Sequence, residues 1–250
     1  MNAALRAEAT KLRRSPVGLI ATVALVGGTI AVLGGITAAV AGGDPAMIAK
    51  AGPAAALDWT GLLSGAGQVT AAAGMLGCGT VLAWLFAREF TDGTIVGLFA
   101  LPVTRGRIAL AKLAVYACWV ALVGVALTSG LLALGLALGY GAPDRAVWAG
   151  LARLCVLVLL TGAVTTPVAL AATAARSLLA GVGCTVGLVV VAQVGALAGA
   201  GGWMPLAAPA LWAASGGTAV TTPQLALAVA VGAAAAAAAW WTWSRLTCRR

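Results

Sequence analysis

Residues 88–107 read "REFTDGTIVGLFALPVTRGR", and the rest of the chain is read from this stretch. Arg88, Glu89, Asp92, Arg105 and Arg107 crowd into it, with Lys112 just beyond, whereas the flanking sequence is almost uncharged. The apolar run between the charges is too short to cross a bilayer, which takes ~20 residues of helix, and Gly97 and Pro102 interrupt it. A charged, broken segment between long apolar ones reads as a loop joining two membrane spans.

Composition agrees with a lipid solvent. The 250 residues are 62% hydrophobic and 8% charged, against about 25% charged in a soluble domain. A core of this size cannot hide so much apolar surface, so the fold class is an all-α membrane protein. The net charge of +9 does not point to nucleic acid, which needs a positive stripe on one folded surface. These basic residues come in clusters one or two crossings apart, and no nucleic-acid partner is expected. Cys78, Cys118, Cys155, Cys184 and Cys248 are scattered singly, without metal-ligand or disulfide-framework spacing.

Charge-free stretches define six spans, near 17–41, 62–87, 110–138, 149–173, 178–198 and 225–243. The last stretch is long enough for two spans and is divided at 199–224, a segment rich in Gly, Pro, Thr and Trp. With the N terminus inside, all of the fifteen Lys and Arg except Lys50, Arg145 and Arg153 fall on the cytosolic side, as the positive-inside bias requires. Five or seven spans would place Arg245, Arg249 and Arg250 outside, so both termini are expected in the cytosol. Trp59, Tyr140, Trp148, Trp203 and Trp212 fall at outer edges and Trp84, Phe86, Trp240, Trp241 and Trp243 at inner ones, as aromatic belts do. Trp119 alone lies within a span.

A basic start followed by "AVAGG" (39–43) resembles a cleaved signal, but signal h-regions run only ~7–15 residues. The run from Val17 to Ala41 is much longer and reads as a retained span. Residues 1–16 can form a helix with Leu5, Ala9 and Leu12 on one side. It either lies at the cytosolic interface or serves only as a basic flank. Gly61 and Gly65, Gly135 and Gly139, Gly183 and Gly187, and Gly195 and Gly199 each stand four apart, a spacing that lets helices approach closely in lipid.

Within the loop, Thr91 or Asp92 can cap a short helix, and Arg88 with Asp92 makes an i, i+4 pair if the preceding helix continues. Ile95, Leu98, Phe99 and Leu101 supply one apolar side, and Pro102 ends it. Arg105, Arg107 and Lys112 then stand at the headgroups. The loop at 88–108 reads as a short amphipathic helix held flat against the membrane, its acidic end offered to the cytosol.

The string from Arg88 to Lys112 resembles the cytosolic loop of type 2 permeases of ATP-binding-cassette exporters. The matching positions are Glu89 and Phe90, Gly93 and Thr94, the apolar run 95–101, Pro102, Arg105 and Lys112. Chain length, six spans and a Gly/Pro-rich segment before the last span extend the likeness to the whole chain. It is most similar to the small bacitracin- and lantibiotic-type subgroup, in a bacterial plasma membrane. The resemblance implies a coupling helix that docks on a separate ATPase subunit, carried by Arg88, Glu89, Phe90, Asp92, Gly93, Thr94, Pro102 and Arg105. It implies ATP and magnesium on that ATPase, no cofactor on this chain, and a second permease chain, identical or different. Glu89 would meet a cation of the ATPase, or else Arg88 or Arg105 of its own chain. The segment 199–224 would be an outer re-entrant hairpin of two short broken helices, or an exposed loop. Gln68 and Gln193 lie in the second and fifth spans, which in the family line the path, so they are candidates for substrate contact; a plain helix–helix hydrogen bond is the alternative. Thr165 and Thr166 are expected to satisfy carbonyls freed by Pro167.

Absences narrow the function. The sequence has no phosphate-binding G-x-x-x-x-G-K-[ST] loop, so ATP hydrolysis by that route belongs to another subunit. The lack of histidine excludes a Ser–His nucleophile and histidine-ligated metals, and no span carries a central carboxylate for ion coupling. The expectation is a permease subunit exporting an amphipathic or hydrophobic compound such as an antibiotic, peptide or lipid. A passive scaffold or immunity protein that binds a peptide without moving it is the alternative.

Overall fold

In hydrocarbon each backbone N–H and C=O must find its partner inside the protein, so long apolar runs become helices. The structure, a computed structural model, describes residues 2–95, 97 and 103–246. Among the described residues the regular structure is all helical. Six helices are long and apolar enough to cross a membrane: Pro16–Ala41, Trp59–Thr91, Arg105–Ala137, Arg145–Ala175, Leu178–Leu197 and Thr222–Ser244. An amphipathic helix, Asn2–Arg13, precedes them. The apolar core of the short loop helix expected from the sequence, with Leu98, Phe99, Leu101 and Pro102, lies outside the described residues.

Polar caps start the helices where the spans begin. Asp58 accepts from Gly61 N and Asp144 from Val147 N, each at 2.8 Å, which satisfies donors the first turn leaves unpaired. Thr221 and Gln224 form a capping box at the start of the last span. The second span runs four residues past its expected end, to Thr91. Gly93 then turns the chain with a φ of 68°, a left-handed conformation that only glycine adopts without strain.

Two spans depart from regular helix, and each departure is held by a neighbour. The first contains a π-helical turn at Val23–Gly28. Just before it, Thr22 Oγ1 accepts a 2.9 Å bond from Trp119 Nε1. That bond accounts for the one tryptophan placed within a span: it joins the third span to the first. The fourth span breaks between Val164 and Pro167. Thr165 Oγ1 donates to the Thr161 and Gly162 carbonyls, Thr166 Oγ1 lies 2.6 Å from Gly232 O, and the Tyr116 hydroxyl donates to Gly162 O at 2.9 Å. The third, fourth and sixth spans therefore meet at this break.

The glycine pairs divide by what faces them. A Cβ at Gly61, Gly65, Gly135 or Gly195 would collide with Ala56, Leu33, Trp59 or Met204 respectively, whereas Gly183 and Gly187 meet nothing. The fifth span is correspondingly bare, with Val186, Val190 and Val194 exposed.

The aromatic belt holds in part. Trp148 and Trp203 are exposed. Trp59 and Trp243, expected at the interfaces, are instead buried. Trp59 sits on Gly135 and edge-on to Tyr140 at 6.1 Å, and Trp243 packs edge-on against Phe86 and Phe90.

Segment 199–224 folds back onto the bundle. Where two short helices were expected, it forms one three-residue 3-10 turn, Gly201–Trp203, and one helix, Ala208–Ala214. The first half stays a turn because Gly201, with a φ of 56°, reverses the chain and Pro205 follows too soon for a helix to grow. Ala208 and Pro209 are buried, so this short helix is a packed element.

Candidate functional site

Two polar arrangements stand at opposite ends of the bundle. At the end where the second span stops and the third begins, four charges share one buried site. Lys112 Nζ donates to Glu89 Oε1 at 2.7 Å, Glu8 Oε2 at 3.0 Å and Leu85 O at 2.7 Å. All three ammonium donors are thus engaged. Lys11 Nζ reaches Glu8 Oε1 at 2.7 Å and Glu89 Oε1 at 3.1 Å. Lys112 is 1% exposed, Glu89 2% and Glu8 3%. The ammonium of Lys112 also stands 5.5 Å from the Trp243 ring, and Trp243 Nε1 donates to Thr173 Oγ1 at 2.9 Å. The site ties the N-terminal helix to the second and third spans, and Trp243 extends it to the fourth and sixth.

The balance of charge explains how it survives burial. Desolvating an ion costs several kcal/mol, offset only where pairing and hydrogen bonds are complete. Two lysines face two glutamates here. Burial opposes the charge on Lys11, but the carboxylates of Glu8 and Glu89 outweigh it and hold its pKa above the usual lysine value. One atom stays outside the network: Glu89 Oε2 is buried and makes no hydrogen bond.

This geometry corrects three expectations. Glu89 turns inward and is occupied by Lys112 and Lys11, while Arg88 pairs with Asp92. Lys112 folds into the bundle instead of standing at the headgroups. On the N-terminal helix Ala9 is exposed, and the inward stripe is half-buried Leu5 with buried Glu8 and Leu12. The reason is common to all three: an ammonium enclosed by the ends of the second and third spans requires carboxylates from every element around it. Glu8 escaped the sequence reading, although its spacing from Leu5 and Leu12 puts it on their face.

The other loop residues stand around this site. Arg88 Nε donates to Asp92 Oδ2 at 3.0 Å, with both side chains over a third exposed, and its guanidinium covers Trp84 at 4.9 Å. Phe90 lies between the Trp243 ring and the Arg176 guanidinium, each 5.9 Å away. Asp92 ends the second-span helix. Gly93 and Thr94 are exposed in the turn that follows, and Arg105 opens the third span. Pro102 lies outside the described residues.

At the far end a cavity of about 1040 Å³ opens between the second, fourth and fifth spans and the helix Ala208–Ala214. Its volume lies at the top of the roughly 300–1,000 Å³ range of small-molecule sites. Gln68 and Gln193 both line it, as do Ser64 and Arg153. Met75 and Val189, which line it deeper in the second and fifth spans than the two glutamines, are apolar. Gln68 reaches only Ser64 Oγ, at 3.5 Å, so neither glutamine spends its amide on a neighbouring span. Arg153, counted on the outer side, lies within the fourth-span helix, eight residues from its start. Among the described residues no cluster of three or more His, Cys, Asp and Glu occurs that could hold a metal.

A profile described as ABC-2 family transporter protein matches residues 4–192, from the N-terminal helix into the fifth span. The chain belongs to the ABC-2 transporter family. Comparisons with curated proteins and with solved structures give no match. Membership makes the chain a permease subunit of an ABC transporter, a membrane component that is not itself the ATPase and that implies an ABC ATPase partner.

Proposed function

We propose that this permease subunit exports an amphipathic or hydrophobic compound through the cavity at its far end, driven by a separate ATPase engaged near residues 88–108. The cavity carries the reading: the two glutamines set apart in the sequence face one space, with amides free to bind a solute. Intramembrane polar groups of this kind mark substrate paths. The charged end lies on the cytosolic side of a bacterial plasma membrane, with both termini, and the cavity lies on the outer side. The chain falls in the bacitracin- and lantibiotic-type subgroup.

Arg88, Asp92 and Thr94 are the exposed groups that an ATPase can touch. Glu89 and Phe90 act one step back, by fixing the helix end that carries those groups to Lys112 and Trp243. A second permease chain completes the pathway. The bare face of the fifth span around Gly183 and Gly187 suits close contact with it.

The test is co-purification of the chain with its ATPase, reconstitution, and measurement of ATP hydrolysis against candidate amphipaths. Gln68→Leu with Gln193→Leu is expected to reduce substrate stimulation several-fold while basal hydrolysis stays. Hydrolysis that no amphipath stimulates, or that the double variant leaves unchanged, would remove the cavity from transport. An amphipath that binds while no ATPase co-purifies would favour a passive binding protein.

A further inference from the structure

Arg153 gives the cavity a chemical preference. Charges within a span are costly and are kept facing a partner or a path. Arg153 lies about 12 Å along the fourth-span helix from Arg145, and Gln68 about 14 Å along the second span from Trp59, at 1.5 Å per residue. Both spans begin at the far end, so cation and amide stand at similar depth. Gln193, four residues from the end of the fifth span, lies on the same side of the cavity. Below this polar level the wall includes Met75 and Val189, seven and four residues deeper in their spans than Gln68 and Gln193.

The guanidinium is underused. Nη1 donates to Gly216 O in the folded-back segment, which leaves most of its five N–H donors without a protein acceptor. Two carboxylates also line the cavity, Asp58 and Asp144, and each accepts a backbone N–H group at its own helix start. Among the described residues none makes an ion pair with Arg153. The result, among the described residues, is a guanidinium that no carboxylate pairs with, in a cavity whose two lining carboxylates are engaged at the helix starts.

We infer that the cavity takes an amphipath with an anionic headgroup, a phosphate or carboxylate, its oxyanion on Arg153 and its apolar part against Met75 and Val189. This deepens the transport reading and rests on it for the role of the site. A guanidinium pairs with oxyanions through parallel N–H bonds, and the ligand supplies the acceptors that Gly216 O leaves unfilled. A cationic amphipath of equal tail length would leave Arg153 facing a like charge.

Binding to the full chain in phosphatidylcholine nanodiscs, without any ATPase, tests this independently of transport. The probes are hexadecyl phosphate, hexadecyltrimethylammonium and inorganic phosphate, with empty nanodiscs as background. Saturable binding of hexadecyl phosphate at least about tenfold tighter than the alkylammonium is expected, and Arg153→Gln should weaken it by about tenfold or more. Arg153→Lys should keep part of the preference, and the alkylammonium should be indifferent to either change. Competition by phosphatidylglycerol in the disc would identify a bilayer lipid as the source of the headgroup; its absence would identify a free amphipath. Equal affinity for the two charged probes, tight binding of inorganic phosphate alone, or a preference that survives Arg153→Gln would overturn the inference. Loss of substrate-stimulated hydrolysis with this binding intact would instead count against the transport reading.

Discussion

The two ends of this bundle solve opposite problems with the same residue types. At one end Lys112 is enclosed, every donor is used, and two carboxylates from distant parts of the chain neutralise it. At the other Arg153 lines open space with one protein acceptor and, among the described residues, no carboxylate paired to it. A saturated buried ion fixes the elements around it, because leaving it unpaired is costly. An unsaturated one leaves its pairing to something that arrives later. The permease thus has a clamped end next to the loop and a receptive end around the cavity.

The contrast is broken most severely at the clamp. Lys112→Met leaves Glu8 and Glu89 facing only Lys11, and a loss of about 3–5 kcal/mol of stability is expected, seen as a lower thermal unfolding temperature of the purified chain. Adding Glu8→Gln and Glu89→Gln to it should recover much of that loss, since a neutral polar set needs no counter-ion; continued decline would mean that packing, not charge, holds the site.

At the cavity the pattern inverts. Ala72→Trp fills space at an exposed, cavity-lining position, so unfolding should move by less than about 0.5 kcal/mol while substrate-stimulated hydrolysis by the reconstituted complex is lost. A smaller effect separates the lysines of the clamp. Lys11 has a raised pKa, so its stabilising charge is complete below the ordinary value of 10.5 and fades as pH rises through the raised one. Docking of the N-terminal helix, followed by a fluorophore at its exposed face, should hold to about pH 10.5 and weaken above it. Smallest of all is Arg88→Ala, which removes an exposed pair worth less than about 0.5 kcal/mol. Unfolding should not change measurably, so any fall in coupled hydrolysis would report lost contact with the ATPase.

Length and apolarity made the six spans legible, because lipid leaves a long apolar run no alternative to helix. Gln68 and Gln193 were visible as rare amides in greasy surroundings, and they do line one cavity. The clamp was not visible. Glu8 and Lys112 are 104 positions apart, and no local pattern announces such a pair. The only trace was a carboxylate on the apolar stripe of the first helix. Arg153 was legible as an outer-side charge within the fourth span, but a count of charges for topology gives no sign of the cavity it lines. Trp243 was taken for an interfacial ring because belts and cores draw on the same residue.

The separation of Glu8 from Lys112 also sets an order of assembly. At about 5–20 residues per second, the ribosome delivers Glu8 roughly 5–20 s before the lysine that neutralises it. For that interval the first helix has no seat, and it gains one only when the third span has entered the bilayer in the right orientation. A chain halted before the third span therefore leaves Glu8 without the lysine that seats it, so the first helix to be made docks only after the third span.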